Sequence, residues 1–270
     1  MDWSKTKTIF IIVFSILNVF LYSLYLDRYT EAEKVEILGN ESSSTEEKLK
    51  EDGISYGKLP ETVEPQPYIN AKMKKFGSNE LPNGDGQERV IGEHLLRVDF
   101  AKPKPLGEEI SAETLTAFVE ENAYQGKEYV FWEIVGAENK AVFFQKVNDK
   151  TLYYSDNGQV MVYWNDKGQV TYFEQKIYED VGLGEQPKQL IPPIQAIYTL
   201  YQRGILPANT TIDFAEIGYS VYVQVSENDR MFLPTWRISA TLADGTKEEY
   251  FINAVNNGVI ELGKEEDAAK

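Results

Sequence analysis

The sequence lacks cysteine entirely and has a single histidine, and these absences remove several kinds of chemistry. Without cysteine there is no disulfide, no thiolate nucleophile and no zinc ribbon. An exported domain without disulfides fits a Gram-positive exterior better than a eukaryotic secretory route. A Ser-His-Asp arrangement would have to use His94, yet the chain has no G-x-S-x-G motif. We therefore expect no enzyme, and neither a metal nor a cofactor.

One catalytic alternative stays open at the level of sequence. A glycosidase needs two carboxylates that face each other across a cleft. The neighbouring Glu120 and Glu121 lie on a predicted amphipathic helix. A solvated helix face is the ordinary explanation for such a pair, and nothing in the sequence favours hydrolysis.

Basic charge is scarce. The chain has 27 Lys and Arg against 43 Asp and Glu, a formal net charge of −16. Nucleic acid is excluded as an expected partner, because no basic surface can displace its counterions. Anionic lipid surfaces and anionic wall polymers are disfavoured for the same reason.

What the sequence does contain is a long apolar run, residues 9–26, without a formal charge. As a helix at ~1.5 Å per residue it would span about 27 Å, close to the hydrocarbon thickness of a bilayer. A signal peptide would have a shorter apolar region followed by a small-x-small cleavage site. A buried core helix would show a polar face. The run therefore predicts a single transmembrane helix.

The flanking charges predict the orientation of this helix. Lys5 and Lys7 precede it, whereas acidic residues dominate directly after it. Lys and Arg favour the cytoplasmic side. We therefore expect a short cytoplasmic tail at residues 1–8 and an extracytoplasmic region at residues 27–270, in the cell membrane.

A polar stripe follows one face of the predicted transmembrane helix. Ser15, Asn18, Tyr22 and Tyr25 are three or four residues apart. A carboxamide in hydrocarbon is costly unless it finds a hydrogen-bond partner. The stripe is therefore a candidate contact with another membrane helix. The alternative is that Asn18 bonds to its own helix backbone.

The remainder predicts an α+β body. Residues 27–87 are polar and are interpreted as a partly ordered stalk. Residues 88–182 and 183–263 each run from a helix to antiparallel strands, which predicts two helix-plus-sheet units. Residues 264–270 form a charged tail.

Local signals place several of these elements. Ser111 is positioned to cap the first helix. The stretch 151–175 contains D-x-G-Q-V twice and predicts a three-stranded meander, with a type I′ turn at Asn157-Gly158. Pro192 and Pro193 fit the first turn of the second helix. Its predicted buried stripe has the spacing i, i+3, i+4, i+7 and comprises Ile194, Ile197, Tyr198 and Tyr201.

The abundant aromatic residues allow a second functional interpretation. The chain has 17 Tyr and 13 Phe, spread over nearly every predicted strand. Core packing and cross-strand pairing explain most of them. Exposed aromatic rings also stack on sugars, so a module that binds a cell-wall glycan or peptide is the alternative function.

Three stretches together resemble the YycH/YycI family. They are "MDWSKTKTIFIIVFSILNVFL" at the start, "EEKLKEDGISYGKLPE" after the apolar run, and "LPTWRI…EEYFINAVNNGVIE" near the end. The opening Asp2-Trp3-Ser4-Lys5 before the apolar run is the most specific part. Pro234-x-Trp236-Arg237 with Asn253-Ala254 also resembles the last strands of PepSY-type modules.

The resemblance implies a non-enzymatic accessory regulator. Members of this family are single-pass proteins that associate with the sensor histidine kinase WalK, also called YycG, and with the sister protein YycH. That two-component system controls cell-wall metabolism in Gram-positive bacteria. The family's transmembrane helices take part in controlling the kinase. Whether the effect activates or inhibits stays open, as does a homodimer.

Overall fold

The computed structural model describes residues 7, 10–11, 13–22, 42–60, 63–77, 87–107, 109–184 and 186–262. The chain divides into two compact units, Met1–Ser55 and Tyr56–Lys270. The described residues up to position 22 are helical. Helix α1 follows at Ser42–Glu51. Gly53 ends it in a left-handed conformation with φ 71°, and its amide donates to the Lys50 carbonyl over 3.0 Å.

The larger unit is mainly strands. Its helices are α2 at Ala112–Asn122 and α3 at Pro193–Gln202, with 3₁₀ turns at Gly126–Glu128 and Gly136–Glu138. The strands, in chain order, are β1 Ser55–Tyr56, β2 Ile69–Met73, β3 Gln87–Ile91, β4 Leu95–Pro105, β5 Tyr129–Val135, β6 Lys140–Val147, β7 Lys150–Tyr153, β8 Gln159–Trp164, β9 Gln169–Lys176, β10 Tyr178–Leu183, β11 Thr211–Gln224, β12 Asp229–Thr241, β13 Lys247–Asn253 and β14 Val259–Ile260.

One hydrogen-bonded network connects the strands. Its longest path runs β10-β2-β12-β11-β7-β6-β8-β9-β4-β3, while β13 lies beside β12 and β5 beside β6. The contact between β7 and β11 is parallel and pairs Leu152 with Tyr219. The other pairs with a stated register are antiparallel. This is a mixed architecture of helices and a large sheet, so the predicted α+β class is confirmed.

Helix α2 covers one part of the sheet. Its apolar residues Leu115, Phe118 and Val119 are buried in a cluster with Phe100 and Phe173. The helix cap predicted at Ser111 is present: the Thr114 amide donates to Ser111 Oγ over 3.3 Å. The Ser111 amide in turn donates to Thr114 Oγ1 over 3.0 Å, which completes a capping box. The outer face of α2 carries Glu120 and Glu121, which are exposed.

Helix α3 lies in the second predicted unit, and its stripe is rotated relative to the predicted one. Ala196, Ile197 and Leu200 are buried, whereas Tyr198 and Tyr201 are half-exposed and stack at 5.9 Å. Bulky tyrosines keep their hydroxyls near solvent, so the smaller side chains face the core. The division into two units near residue 183 stays a prediction.

The predicted three-stranded meander is wrong in its first connection. Strands β8 and β9 do form a hairpin, but β8 pairs on its other side with β6. Strand β7 pairs with β6 and β11 instead. The tight turn lies at Asn148 and Asp149, where φ is 50° and 61°, the positive values that a type I′ turn requires. The sequence had predicted a type I′ turn at Asn157-Gly158 instead.

The predicted stalk also needs correction. Residues 69–73, which fell within it, form β2 between β10 and β12. Ile69 is fully buried, and burial alternates along the strand. This alternation marks a strand with one face in the core. Because the residues around 69–73 are polar, the sequence predicted a stalk where the structure has a short interior strand.

Candidate functional site

The sequence-predicted site lies on the amino-terminal helix. Ser15, Asn18 and Tyr22 are helical and exposed, and their spacing places them on one face. Lys7 is also exposed. Lys5 and Tyr25 lie outside the described residues. The polar stripe is therefore brought together for three of its four members.

The Asn18 side chain has a partner in its own helix. Its Nδ2 donates to the Phe14 carbonyl over 2.9 Å. This bond is the alternative that the sequence analysis named, and it satisfies one of the two amide N–H groups. The carboxamide retains its other N–H and its oxygen for a second partner.

Apolar side chains surround this stripe on the same helix. Phe10, Ile16 and Val19 are 75%, 65% and 70% exposed. Within the residues that the structure describes, no helix reaches the length and apolarity that a membrane crossing requires. The predicted transmembrane helix thus stays a prediction.

A second candidate site is a set of charged and aromatic residues that we call the Arg237 cluster: Trp132, Tyr153, Glu216, Arg237 and Glu249. The guanidinium group donates to Glu216 Oε1 over 2.8 Å and to Glu249 over 2.7 Å and 3.1 Å. Its carbon lies 4.2 Å from the Trp132 ring centroid. Because Trp132 belongs to β5 and Arg237 to β12, the cluster joins distant strands.

The polar groups of the Arg237 cluster satisfy one another. Tyr153 Oη donates to Glu216 Oε1 over 3.3 Å. Burial, followed by the charge of Glu216, raises the pKa of Tyr153. Burial opposes the charge of Arg237, but its bonds to Glu249 and Glu216 outweigh this and raise its pKa. Tyr153 and Arg237 both stay protonated near neutral pH, so they do not act as an acid–base pair. The cluster instead serves as a clasp, by which we mean a set of bonds that holds strands together.

A third candidate is the Tyr68 groove, a depression of about 310 Å³ lined by Tyr68, Asn70, Gly184, Gln186, Lys188 and Met231. Met231 on β12 is paired with Asn70 on β2, so these residues form its floor. Tyr68 contacts Tyr222 with ring centroids 5.8 Å apart. Sequence reasoning missed this groove because it assigned Tyr68 to the stalk. The alternating pattern of Ile69–Met73 was the available signal.

The lone histidine has a structural contact. His94 lies in the turn before β4, and its Nδ1 is 2.8 Å from the Lys74 carbonyl oxygen. Among the described residues, no group of three or more His, Asp or Glu side chains is placed to hold a metal ion.

These features define a class: a mixed α+β protein built around a large sheet, whose best-ordered polar cluster links strands together. A family model described as "YycI protein" matches residues 32–255, most of the chain. The chain therefore belongs to the YycI family, and the resemblance seen in the sequence is confirmed. As a member it is a YycH/YycI-type accessory protein, which fits a non-enzymatic role.

Comparison with individual proteins adds fold likeness at low identity. No curated protein matches the chain. An uncharacterized protein from Eubacterium rectale is 9% identical with TM-score 0.46, over 78% of this chain and 92% of its own. YycH from Bacillus subtilis is 11% identical with TM-score 0.36, over 72% of this chain and 51% of its own.

Proposed function

We propose that this protein is a membrane-anchored accessory regulator of a sensor histidine kinase of the WalK (YycG) type, acting together with YycH. The observation that carries the proposal is the family match over residues 32–255. The output of such a two-component system is control of cell-wall metabolism. The protein contributes binding and positioning, with no chemical step of its own.

Residues 9–26 serve as the anchor in this proposal. Every described apolar side chain in that stretch is exposed, Phe10 and Val19 most of all. An uncovered apolar helix is stabilised by transfer of its surface out of water. Lys7 then lies on the cytoplasmic side, and the compact unit Tyr56–Lys270 lies outside the cell.

The polar stripe is the proposed intramembrane contact. Asn18 already bonds to Phe14, so a partner helix gains only the remaining N–H and the oxygen. Interhelical bonds of this kind contribute about 0.6–2 kcal/mol. We therefore expect Asn18 to contribute at the lower end of that range. Contacts of the outer body supply the rest of the affinity.

An anchor exchange tests this proposal. Residues 1–26 are replaced by an unrelated single-pass anchor of the same orientation, and kinase output is followed with a reporter of the two-component system. We expect regulation to be lost while the outer body stays folded at the membrane. If the exchanged protein regulates as well as the native one, the helix is a tether and its intramembrane role is wrong.

A point substitution sharpens the same test. Asn18→Leu should keep membrane insertion, because Leu is more favourable in hydrocarbon than Asn. It should weaken crosslinking to the kinase or YycH about threefold, the equivalent of roughly 0.6 kcal/mol. Val13→Leu changes no polar group and serves as the matched control. Absence of both partners from crosslinks of the native protein would contradict the proposed function.

A further inference from the structure

The Tyr68 groove contains three polar side chains that have no partner in the described part of the protein. In the part of the chain that the structure describes, the side chains of Asn70, Gln186 and Lys188 make no hydrogen bond or ion pair with another residue. The Arg237 cluster differs, because each of its charged groups is bonded within the cluster. Convergent polar groups beside aromatic rings are typical of a ligand site.

The backbone around the groove is closed to strand addition. The Gly184 amide donates to the Tyr68 carbonyl over 2.7 Å, and Lys188 and Gln66 exchange two backbone bonds of 2.8 Å and 3.0 Å. The floor is the face of a sheet, where β2 is already paired with both β10 and β12. A peptide that binds by adding a strand needs an unpaired edge. The groove instead offers ring faces and side-chain amides.

A second aromatic ring lies beside the groove and is exposed to solvent. Tyr222 is 52% exposed and meets Tyr68 at an interplanar angle of 45°. Burial, followed by the proximity of Tyr222, raises the pKa of Tyr68, so its hydroxyl remains a neutral donor. Gly184 packs closely against the Tyr68 backbone, since a Cβ there would lie 2.9 Å from the Tyr68 carbonyl oxygen.

We propose that the Tyr68 groove binds an N-acetylated saccharide. The ring faces of Tyr68 and Tyr222 pack against the C–H face of a sugar ring, while the amides of Asn70 and Gln186 bond to its hydroxyl and acetamido groups. Lys188 accommodates a carboxylate substituent. The groove is near the lower limit of ~300–1,000 Å³ for ligand sites, which limits the bound part to about one or two rings.

The charge of the groove favours a neutral or singly charged sugar over a polyanion. Its described lining contains one ammonium group and no carboxylate or second cation. A polyanion such as nucleic acid would need several cations in line, and the chain carries a net charge of −16. A neutral or singly charged sugar matches one ammonium group and two amides.

Titration of the intact protein with defined sugars tests the proposal. The full chain is placed in lipid nanodiscs, so that no sugar-headed detergent competes. Binding of N,N′,N″-triacetylchitotriose and of the disaccharide GlcNAc-MurNAc is followed by saturation-transfer NMR and calorimetry. We expect saturable binding of both, with the carboxylate-bearing disaccharide bound more tightly. Absence of saturable binding of either sugar overturns the proposal.

Variants then locate the site. Tyr222→Ala should weaken binding about three- to tenfold, the usual contribution of an aromatic contact. Asn70→Asp should weaken it at least as much, because the carboxylate donates no hydrogen bond. Lys188→Gln should remove the preference for the acidic sugar while keeping triacetylchitotriose binding. Tyr172→Ala, on β9, where Tyr172 stacks on Tyr163, is the matched control.

Each outcome of the variants bears on the groove. Unchanged binding in Tyr222→Ala and Asn70→Asp places the sugar elsewhere and overturns the assignment. Thermal denaturation checks that each variant is folded, and an equal loss of binding in folded Tyr172→Ala also overturns the assignment. The kinase reporter is unaffected by failure of sugar binding, so this proposal and the proposed regulatory function fail separately.

Discussion

The Arg237 cluster and the Tyr68 groove contain the same kinds of residue, but the cluster links strands of the fold and the groove is the proposed ligand site. In the cluster, Trp132 lies over the guanidinium group, and the two carboxylates accept a hydrogen bond from each of its three nitrogens. At the groove, the exposed Tyr222 ring lies beside Tyr68, and the side-chain amides of Asn70 and Gln186 have no partner among the described residues. Aromatic content alone therefore says little about binding. What distinguishes a clasp from a ligand site is whether the polar groups already have partners.

The largest effect should come from the close packing beneath the Arg237 cluster. A Cβ on Gly218 would lie 2.6 Å from the Thr151 carbonyl oxygen and would strike the Tyr153 ring. Gly218→Ala forces β7 and β11 apart and should lower the free energy of unfolding by about 3 kcal/mol, measured by urea denaturation. Gly136→Ala, which meets nothing within 4 Å, is the control. Equal stability of the two variants would contradict the parallel β7–β11 contact.

The clasp itself should rank second. Arg237→Met keeps the length of the side chain but leaves Glu216 and Glu249 without their cation, so we expect a loss of about 2 kcal/mol. This is below the ~3–5 kcal/mol of a fully buried pair, because the Glu216 side chain is 46% exposed. Exposed Arg203→Met is the control. A loss no larger than that of Arg203→Met would show that the cluster is not a clasp.

The buried Tyr219, which packs with Ile69 and Phe232, should make stability depend on pH. Tyr219, whose hydroxyl donates to the Pro67 carbonyl over 3.3 Å, has its pKa raised by burial from 10.0 to about 12. The unfolded chain loses this proton first, so the stability it contributes is present below pH 10 and is lost as the pH rises through about 12.

Tyr219→Phe isolates this contribution. Stability of the native protein should fall more steeply between these pH values than that of the variant, because the variant cannot release that proton. Urea denaturation at closely spaced alkaline pH values measures the two slopes. Tyr163, whose pKa burial likewise raises to about 12, is present in both proteins and cancels. Parallel slopes would refute the assignment to Tyr219.

The smallest effect should come from a side chain in the floor of the groove. The Asn70 side chain is exposed and bonds to no other described residue, so Asn70→Asp should change stability by less than ~0.5 kcal/mol. The measurement is thermal denaturation beside sugar titration. A large loss of stability would show that Asn70 supports the fold, and the contrast with the Arg237 cluster would disappear.

Local signals in the sequence predicted local structure well. The capping box at Ser111 formed because both partners lie within one helical turn. The β8–β9 hairpin formed around Gly168, whose φ is 70°. Such features depend on neighbours along the chain, so a reader of the sequence can find them.

Pairing between strands that are distant in the sequence could not be predicted in the same way. Strand β7 leaves its predicted neighbour β8 and pairs in parallel with β11, a choice set by packing against distant residues. The Arg237 cluster collects side chains from β5, β7, β11, β12 and β13, and no spacing in the sequence announces it. The stripe around Asn18 was visible as a helical period, but its bond to Phe14 depends on a rotamer.

Strand β2 has a consequence for how the molecule is made. Ile69 pairs with Phe232, and Lys72 with Asp229, so β2 can complete its pairing only after the much later strand β12 has been synthesised. Closing so long a loop costs entropy before any contact compensates, and such topologies fold slowly. Until β12 emerges from the ribosome, Ile69 can pack against Val147, Leu152 and Tyr178 but lacks Phe232. A chain truncated before β12 therefore leaves one edge of β2 unpaired.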